Sequence, residues 1–120
     1  MANNVTKQWG DPPHSEINVP IDQGSNLKSA ELKLNGAYVY RIYTPVGWNA
    51  ATLSFLERSE NVATPVSPND GTADYTIATV ASKEYIIPAS KLLGGPGYIT
   101  FVSSVAQAGL ALTVVTRTIP

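Results

Sequence analysis

Two alternating apolar runs constrain this chain most: Tyr38-Val39-Tyr40-Arg41-Ile42-Tyr43, and Tyr98 to Val115 with one interruption at Gln107-Ala108-Gly109. A period of two sends successive side chains to opposite faces, so one set meets a core and the other meets solvent or a second surface. That is the pattern of half-buried antiparallel strands, and it predicts an all-β chain.

The rest of the sequence fits a domain of this kind. Its 120 residues are enough for one core, since a chain of this size buries roughly two thirds of the surface it exposes when unfolded. There is no cysteine, so neither disulfides nor thiolate metal sites enter the argument, and redox compartment cannot be read from the chain. Charged residues make up only 14% of the chain against 43% hydrophobic, so much of the surface is neutral Ser, Thr, Asn and Ala, which suits packing against other protein. The net charge is -1 and the eight Lys and Arg are scattered, which argues against nucleic acid as a partner. Trp9, Asp11, Pro12, Pro13 and Glu16 interrupt the apolar stretch a signal peptide would need, and no run approaches the ~20 residues of a membrane span. No membrane partner is expected.

Residues 1 to about 16 read as a polar arm ending in Gly10-Asp11-Pro12-Pro13, where the prolines favour extended geometry. Ile17, Val19 and Ile21 alternate with Asn18 and Pro20, and the proline places that strand at an edge or before regular pairing begins. The arm and first strand are assigned to residues 1–25 and a β-sandwich domain to 26–120. Leu32 and Leu34 lead to Asn35-Gly36, a tight-turn dipeptide, so 30–34 is expected to pair with a strand from Ala37 to Thr44. Further strands are expected from Thr52 to Arg58, from Tyr75, from Glu84 to Ile87, and over 97–104 and 109–117. Residues 59–74 form a long loop or weak hairpin. Pro88 to Leu93 reads as one short helical turn, entered by proline and ended by Gly94-Gly95. About seven to nine short strands with closely spaced turns predict an antiparallel β-sandwich or jelly roll.

No set of residues reads as catalytic. His14 is the only histidine, and its neighbour Ser15 points to the other side of an extended chain, so the two do not form a nucleophile and base. Asn69-Asp70-Gly71-Thr72-Ala73-Asp74 could offer oxygens to calcium but lacks calcium-loop spacing, so a turn held by Asn and Asp is the plainer reading. Glu57 and Glu60 resemble glycosidase carboxylates only by residue type. No cofactor or metal is expected.

The candidate contact residues are Trp9, Tyr38, Tyr40 and Trp48. Trp9 is a lone large ring in a polar arm, suited to docking on a neighbouring subunit or folding back on its own domain. Trp48 either offers a stacking platform for a sugar at a loop tip or plugs one end of a sandwich, and the second is the commoner use. Tyr38, Tyr40 and Tyr43, with Arg41 between them, put aromatic side chains on both faces of one strand; one face must be core, and the other is either a second buried layer or an exposed patch for a partner.

Tyr40-Arg41-Ile42-Tyr43-Thr44-Pro45-Val46-Gly47-Trp48-Asn49-Ala50-Ala51-Thr52-Leu53-Ser54-Phe55 resembles a pattern in small proteins of tailed-bacteriophage structural operons: a strand, Pro, Trp, a short Ala-rich step, then Leu-x-Phe. The stretch Ile86 to Gly94, then Tyr98 to Ser104, then Val105-Ala106-Gln107 leading into Leu110 to Arg117, is similar to the second half of the same group. The resemblance implies a non-enzymatic virion component with a β-sandwich or jelly-roll fold. It points to a decoration or cement protein on the capsid exterior, a homotrimer whose partner is the major capsid protein. Residues 57–74 and the chain before residue 26 depart from the pattern. A carbohydrate-binding module on a head fibre or tail, and a neck, tail or baseplate part, remain the alternatives.

Overall fold

The computed structural model describes residues 14–69 and 71–118. The strands are β1 (His14–Pro20), β2 (Leu32–Lys33), β3 (Tyr38–Tyr43), β4 (Ala51–Arg58), β5 (Ile77–Thr79), β6 (Glu84–Ile86), β7 (Tyr98–Ser103) and β8 (Ala111–Arg117). They form two antiparallel sheets of four strands each, in the orders β1-β8-β3-β6 and β2-β7-β4-β5. Among the described residues, helix is confined to one 3-10 turn, Ala89–Lys91. None is long and apolar enough to cross a membrane.

One core joins the two sheets. Val19, Val39, Ile42, Leu112 and Val114 from the first meet Leu53, Phe55, Ile99 and Phe101 from the second. Phe55 and Phe101 lie opposite each other in the β4–β7 ladder, their rings edge to face with centroids 5.5 Å apart. Tyr75 also stacks on Phe55, with ring centroids 5.8 Å apart. The alternation in β4, β7 and β8 is therefore the period-two pattern realised, with Leu53, Phe55, Ile99, Phe101, Leu112 and Val114 all turned inward.

β1 is an edge strand, which suits Pro20 as a residue without an N–H, but it starts at His14 and takes in the last three residues, 14–16, of the stretch expected to be arm. It pairs with β8 along its whole length, and Ile21 beyond it is fully buried.

The expected hairpin between 30–34 and β3 does not form. The turn is present: Asn35 and Gly36 have φ of 55° and 92°, and the Ala37 N–H donates to the Leu34 carbonyl. However, β2 pairs with β7 and β3 pairs with β8 and β6, so this turn carries the chain from one sheet to the other. Leu34 is buried at the crossing, and the segment 93–95 takes the backbone bonds a hairpin would have used: Val39 N–H to Leu93 O, and Gly95 N–H to Ala37 O.

The turn near residue 88 is shorter than expected and stops differently. Pro88 precedes it, and Leu92, not a glycine, takes the left-handed position with φ 50°. That conformation delivers Leu93 into the core with no exposed surface.

Gly97, just ahead of β7, has φ 128°, and a Cβ there would lie 2.5 Å from the Arg58 backbone oxygen. Gly97→Ala is expected to lose roughly 1–3 kcal/mol through backbone strain alone, more if β4 must shift. Urea unfolding checks this, through a lowered midpoint at unchanged slope.

Candidate functional site

The most distinctive side-chain cluster lies on the face of the β1-β8-β3-β6 sheet turned away from the core. It exists because of one extra residue. The β3–β8 register runs Tyr38↔Arg117 and Val39↔Thr116, then resumes at Arg41↔Val115, leaving Tyr40 as a bulge. Val39 and Ile42, three apart, therefore both point inward. Tyr38, Tyr40 and Tyr43 all lie outside the core cluster, and Arg41 joins Tyr40 and Tyr43 on the outer side. The expectation that the aromatics divide between two faces is corrected by this bulge: strict alternation would have put Tyr43 opposite Tyr40.

The outer face is held by mutual contacts. Two guanidinium groups lie against the Tyr40 ring, with the Arg117 carbon 4.2 Å and the Arg41 carbon 4.9 Å from its centroid. Arg41 donates to the Tyr40 hydroxyl at 3.2 Å and to Glu84 at 2.5 Å, and the Tyr43 hydroxyl donates to the same Glu84 oxygen at 2.8 Å. The Tyr43 hydroxyl, then Arg41, hold the Glu84 carboxyl below the ordinary carboxylate value, so the cluster stays ionised at neutral pH. Tyr40 and Glu84, in that order, keep the Arg41 guanidinium above its own ordinary value. Apolar surface lies beside this network: Ile86 is 62% exposed and Leu92 49%. Tyr38, Tyr40, Ile86, Pro88, Leu92 and Arg117 line a groove of about 220 Å³.

Of the four candidate contact residues, Tyr38 and Tyr40 meet on this face, and Trp9 lies outside the described residues. Trp48 is not presented to a partner. It is 4% exposed, its indole N–H donates to Thr79 Oγ1 at 2.9 Å, and that hydroxyl donates to Ala51 O at 2.8 Å. A buried ring offers neither a protein nor a sugar a surface, so Trp48 closes one end of the core. Arg117 and Glu84 completed the cluster unseen by sequence reasoning, because only long-range strand pairing brings them beside β3.

Gln107 was also missed as anything but a break. It is fully buried; its Oε1 accepts from the Asn49 N–H, and its Nε2 donates to Asn49 O and Ser103 Oγ. It fixes the loop that carries Trp48.

The other candidates have structural partners. The Asn69 amide donates to the Asp74 carboxylate at 2.8 Å, and Asn69 Oδ1 accepts from the Gly71 N–H, which is a turn held by its own side chains. Among the described residues, no three His, Cys, Asp or Glu side chains converge as metal ligands would. Glu60 pairs with Lys33 on the surface. Glu57 is half-buried and accepts the Gly94 N–H at 2.5 Å. Burial raises its carboxyl above the ordinary 4.5, with the Gly94 bond opposing the rise.

Because the folded value of Glu57 exceeds the unfolded one, the folded chain holds that proton more tightly. The associated stability is present at low pH and is lost as pH climbs through the folded value. Glu57→Gln keeps an oxygen for Gly94 and removes the charge. Its urea midpoint is expected to exceed that of the parent at neutral and alkaline pH, and the two should converge below about pH 4. Glu31, Glu60 and Glu84 shift the opposite way, through Arg58, Lys33 and Tyr43 respectively, but they are common to both proteins and cancel in the comparison.

Family models, curated proteins and solved structures give no match to the chain.

Proposed function

We propose that this chain is a non-enzymatic structural protein of a tailed-phage particle, a decoration protein seated on the outside of the head, and that its fold is a jelly-roll β-sandwich. The fold reading is supported by the strand orders 1-8-3-6 and 2-7-4-5, in which successive strands mostly alternate between sheets, as two interleaved Greek keys require. The functional reading is carried by one observation: an outer sheet face furnished with Tyr38, Tyr40, Arg41, Tyr43, Ile86 and Arg117, and no third layer of strands among the described residues over it.

Tyr and Arg are the residues enriched where proteins bind proteins. On this face they are already ordered by one another, so association spares part of the roughly 0.5–1.5 kcal/mol otherwise lost on immobilising each long side chain. The resemblance described above extends the reading to trimers on the major capsid protein. A protein that binds only the assembled lattice stabilises it by mass action, by about 2.7 kcal/mol per site at a free concentration of 100 Kd. Particles prepared without this protein are expected to assemble but to lose integrity at a lower temperature than complete ones. Equal robustness of the two would refute the decoration role.

A further inference from the structure

We infer that Asn35 is a self-modification site: its side chain cyclises onto the Gly36 nitrogen and the turn rearranges to isoaspartate, which disrupts the crossing between the two sheets. The nucleophile in this chemistry is the amide nitrogen of the next residue, and a Cβ on that residue crowds the approach, so glycine is the favoured successor. Asn35 is the only asparagine of the chain that precedes a glycine. The fold leaves the pair accessible. Asn35 is exposed, and its side chain makes no hydrogen bond among the described residues. A Cβ built on Gly36 would meet no atom within 4 Å, so solvent has room beside the turn. Both residues line an open recess with Lys33, Ser59, Glu60 and Pro96. Other asparagines are held or crowded. Asn69 uses both side-chain polar atoms, on Asp74 and Gly71, and Asn49 donates its amide to Ala106 O. Asn18, Asn26 and Asn61 precede Val19, Leu27 and Val62, whose side chains obstruct the nitrogen.

One restraint opposes the reaction. The Gly36 N–H donates to Gly95 O at 3.2 Å and must let go before the nitrogen can lose its proton, so the step proceeds from a locally opened turn. Hydroxide takes that proton, the nitrogen attacks Asn35 Cγ, and the Cγ–Nδ2 bond breaks, with the departing nitrogen taking a proton from water and leaving as ammonia. Water then opens the cyclic imide. Opening at Cγ gives aspartate; opening at the main-chain carbonyl of residue 35 gives isoaspartate, in which the backbone runs through Cβ and Cγ and is one carbon longer. Water is the only co-reactant and nothing is oxidised or reduced. The extra carbon falls inside the bond from Ala37 N–H to Leu34 O, which closes the turn, and beside the bond from Gly95 N–H to Ala37 O, which ties the turn to the 93–95 segment. Neither keeps its geometry when the turn is lengthened, and buried Leu34 is displaced with them. The inference stands apart from the particle assignment and does not require it.

Incubation of the folded full chain at mildly alkaline pH, followed by peptide mapping in a mass spectrometer, tests it. The peptide carrying Asn35 is expected to show the mass change of NH2 replaced by OH before any other asparagine converts, with part of the product labelled by an isoaspartyl methyltransferase. Urea, which opens the turn, should speed the conversion. The isoaspartate form should unfold at a lower urea midpoint than the parent, whereas freshly purified Asn35→Asp, with the charge but not the extra carbon, should keep the parental midpoint. Asn35→Gly, which suits the positive φ, should fold and show no conversion at that position. Earlier conversion at another asparagine overturns the inference. So does a folded chain that stays intact at Asn35 while the urea-unfolded chain converts fully. An isoaspartate form with the parental midpoint, or one no less stable than Asn35→Asp, would overturn the assigned effect on the sheet crossing.

Discussion

Phe55→Ala is expected to remove about 3–5 kcal/mol of folding stability, the range for deleting a buried aromatic ring. Phe55 has no exposed surface and is the shared neighbour of Phe101 in an edge-to-face pair and of Tyr75 in a stacked one. It stands in the middle of the β4–β7 ladder, which is the centre of its sheet. Truncation therefore leaves a cavity whose walls are held by strands on both sides and cannot collapse freely. Against a total of roughly 5–15 kcal/mol for a domain, such a loss leaves the variant marginal. Urea unfolding should show a much lower midpoint, and a loss below 1 kcal/mol would mean that the core is not organised around this ring.

The second large effect concerns binding, not folding. Tyr43 and Ile86 are 38% and 62% exposed and neither belongs to the core cluster. Tyr43→Ala together with Ile86→Asp should leave the unfolding midpoint within about 1 kcal/mol of the parent, as exposed positions usually do. If the outer face is the contact, these changes remove two anchors worth about 2 kcal/mol each, close to a thousandfold in affinity. Cosedimentation of purified chain with particles stripped of it measures this directly. Retention of the double variant at parental affinity would exclude this face as the contact.

The parts of the fold legible in the sequence were those set by local pattern. Leu53 and Phe55, Ile99 and Phe101, and Leu112 and Val114 alternate cleanly, and each pair faces the core. Pro20 marked an edge strand because a residue without an N–H cannot serve a central ladder.

What stayed hidden depends on partners distant in the chain. Asn35-Gly36 specifies a turn but not which sheet receives the next strand; that is decided by the 93–95 segment bonding to Ala37 and Val39. The bulge at Tyr40 has no signature of its own, yet it alone gathers Tyr38, Tyr40, Arg41 and Tyr43 on one side. Gln107 looks like any polar turn residue until Asn49 is brought against it. The outer-face cluster was thus half-visible: its tyrosines were singled out, while Glu84 and Arg117 arrive through strand pairing.

The proposal that this domain serves by adhesion through one prepared sheet face is tested most directly by an electron-density map of a tailed-phage particle assembled with the chain. The account predicts hundreds of copies on the exterior of the head, each with Tyr43, Arg41 and Ile86 turned toward the shell. A chain found only at the neck or tail, or seated with that face open to solvent, would contradict it.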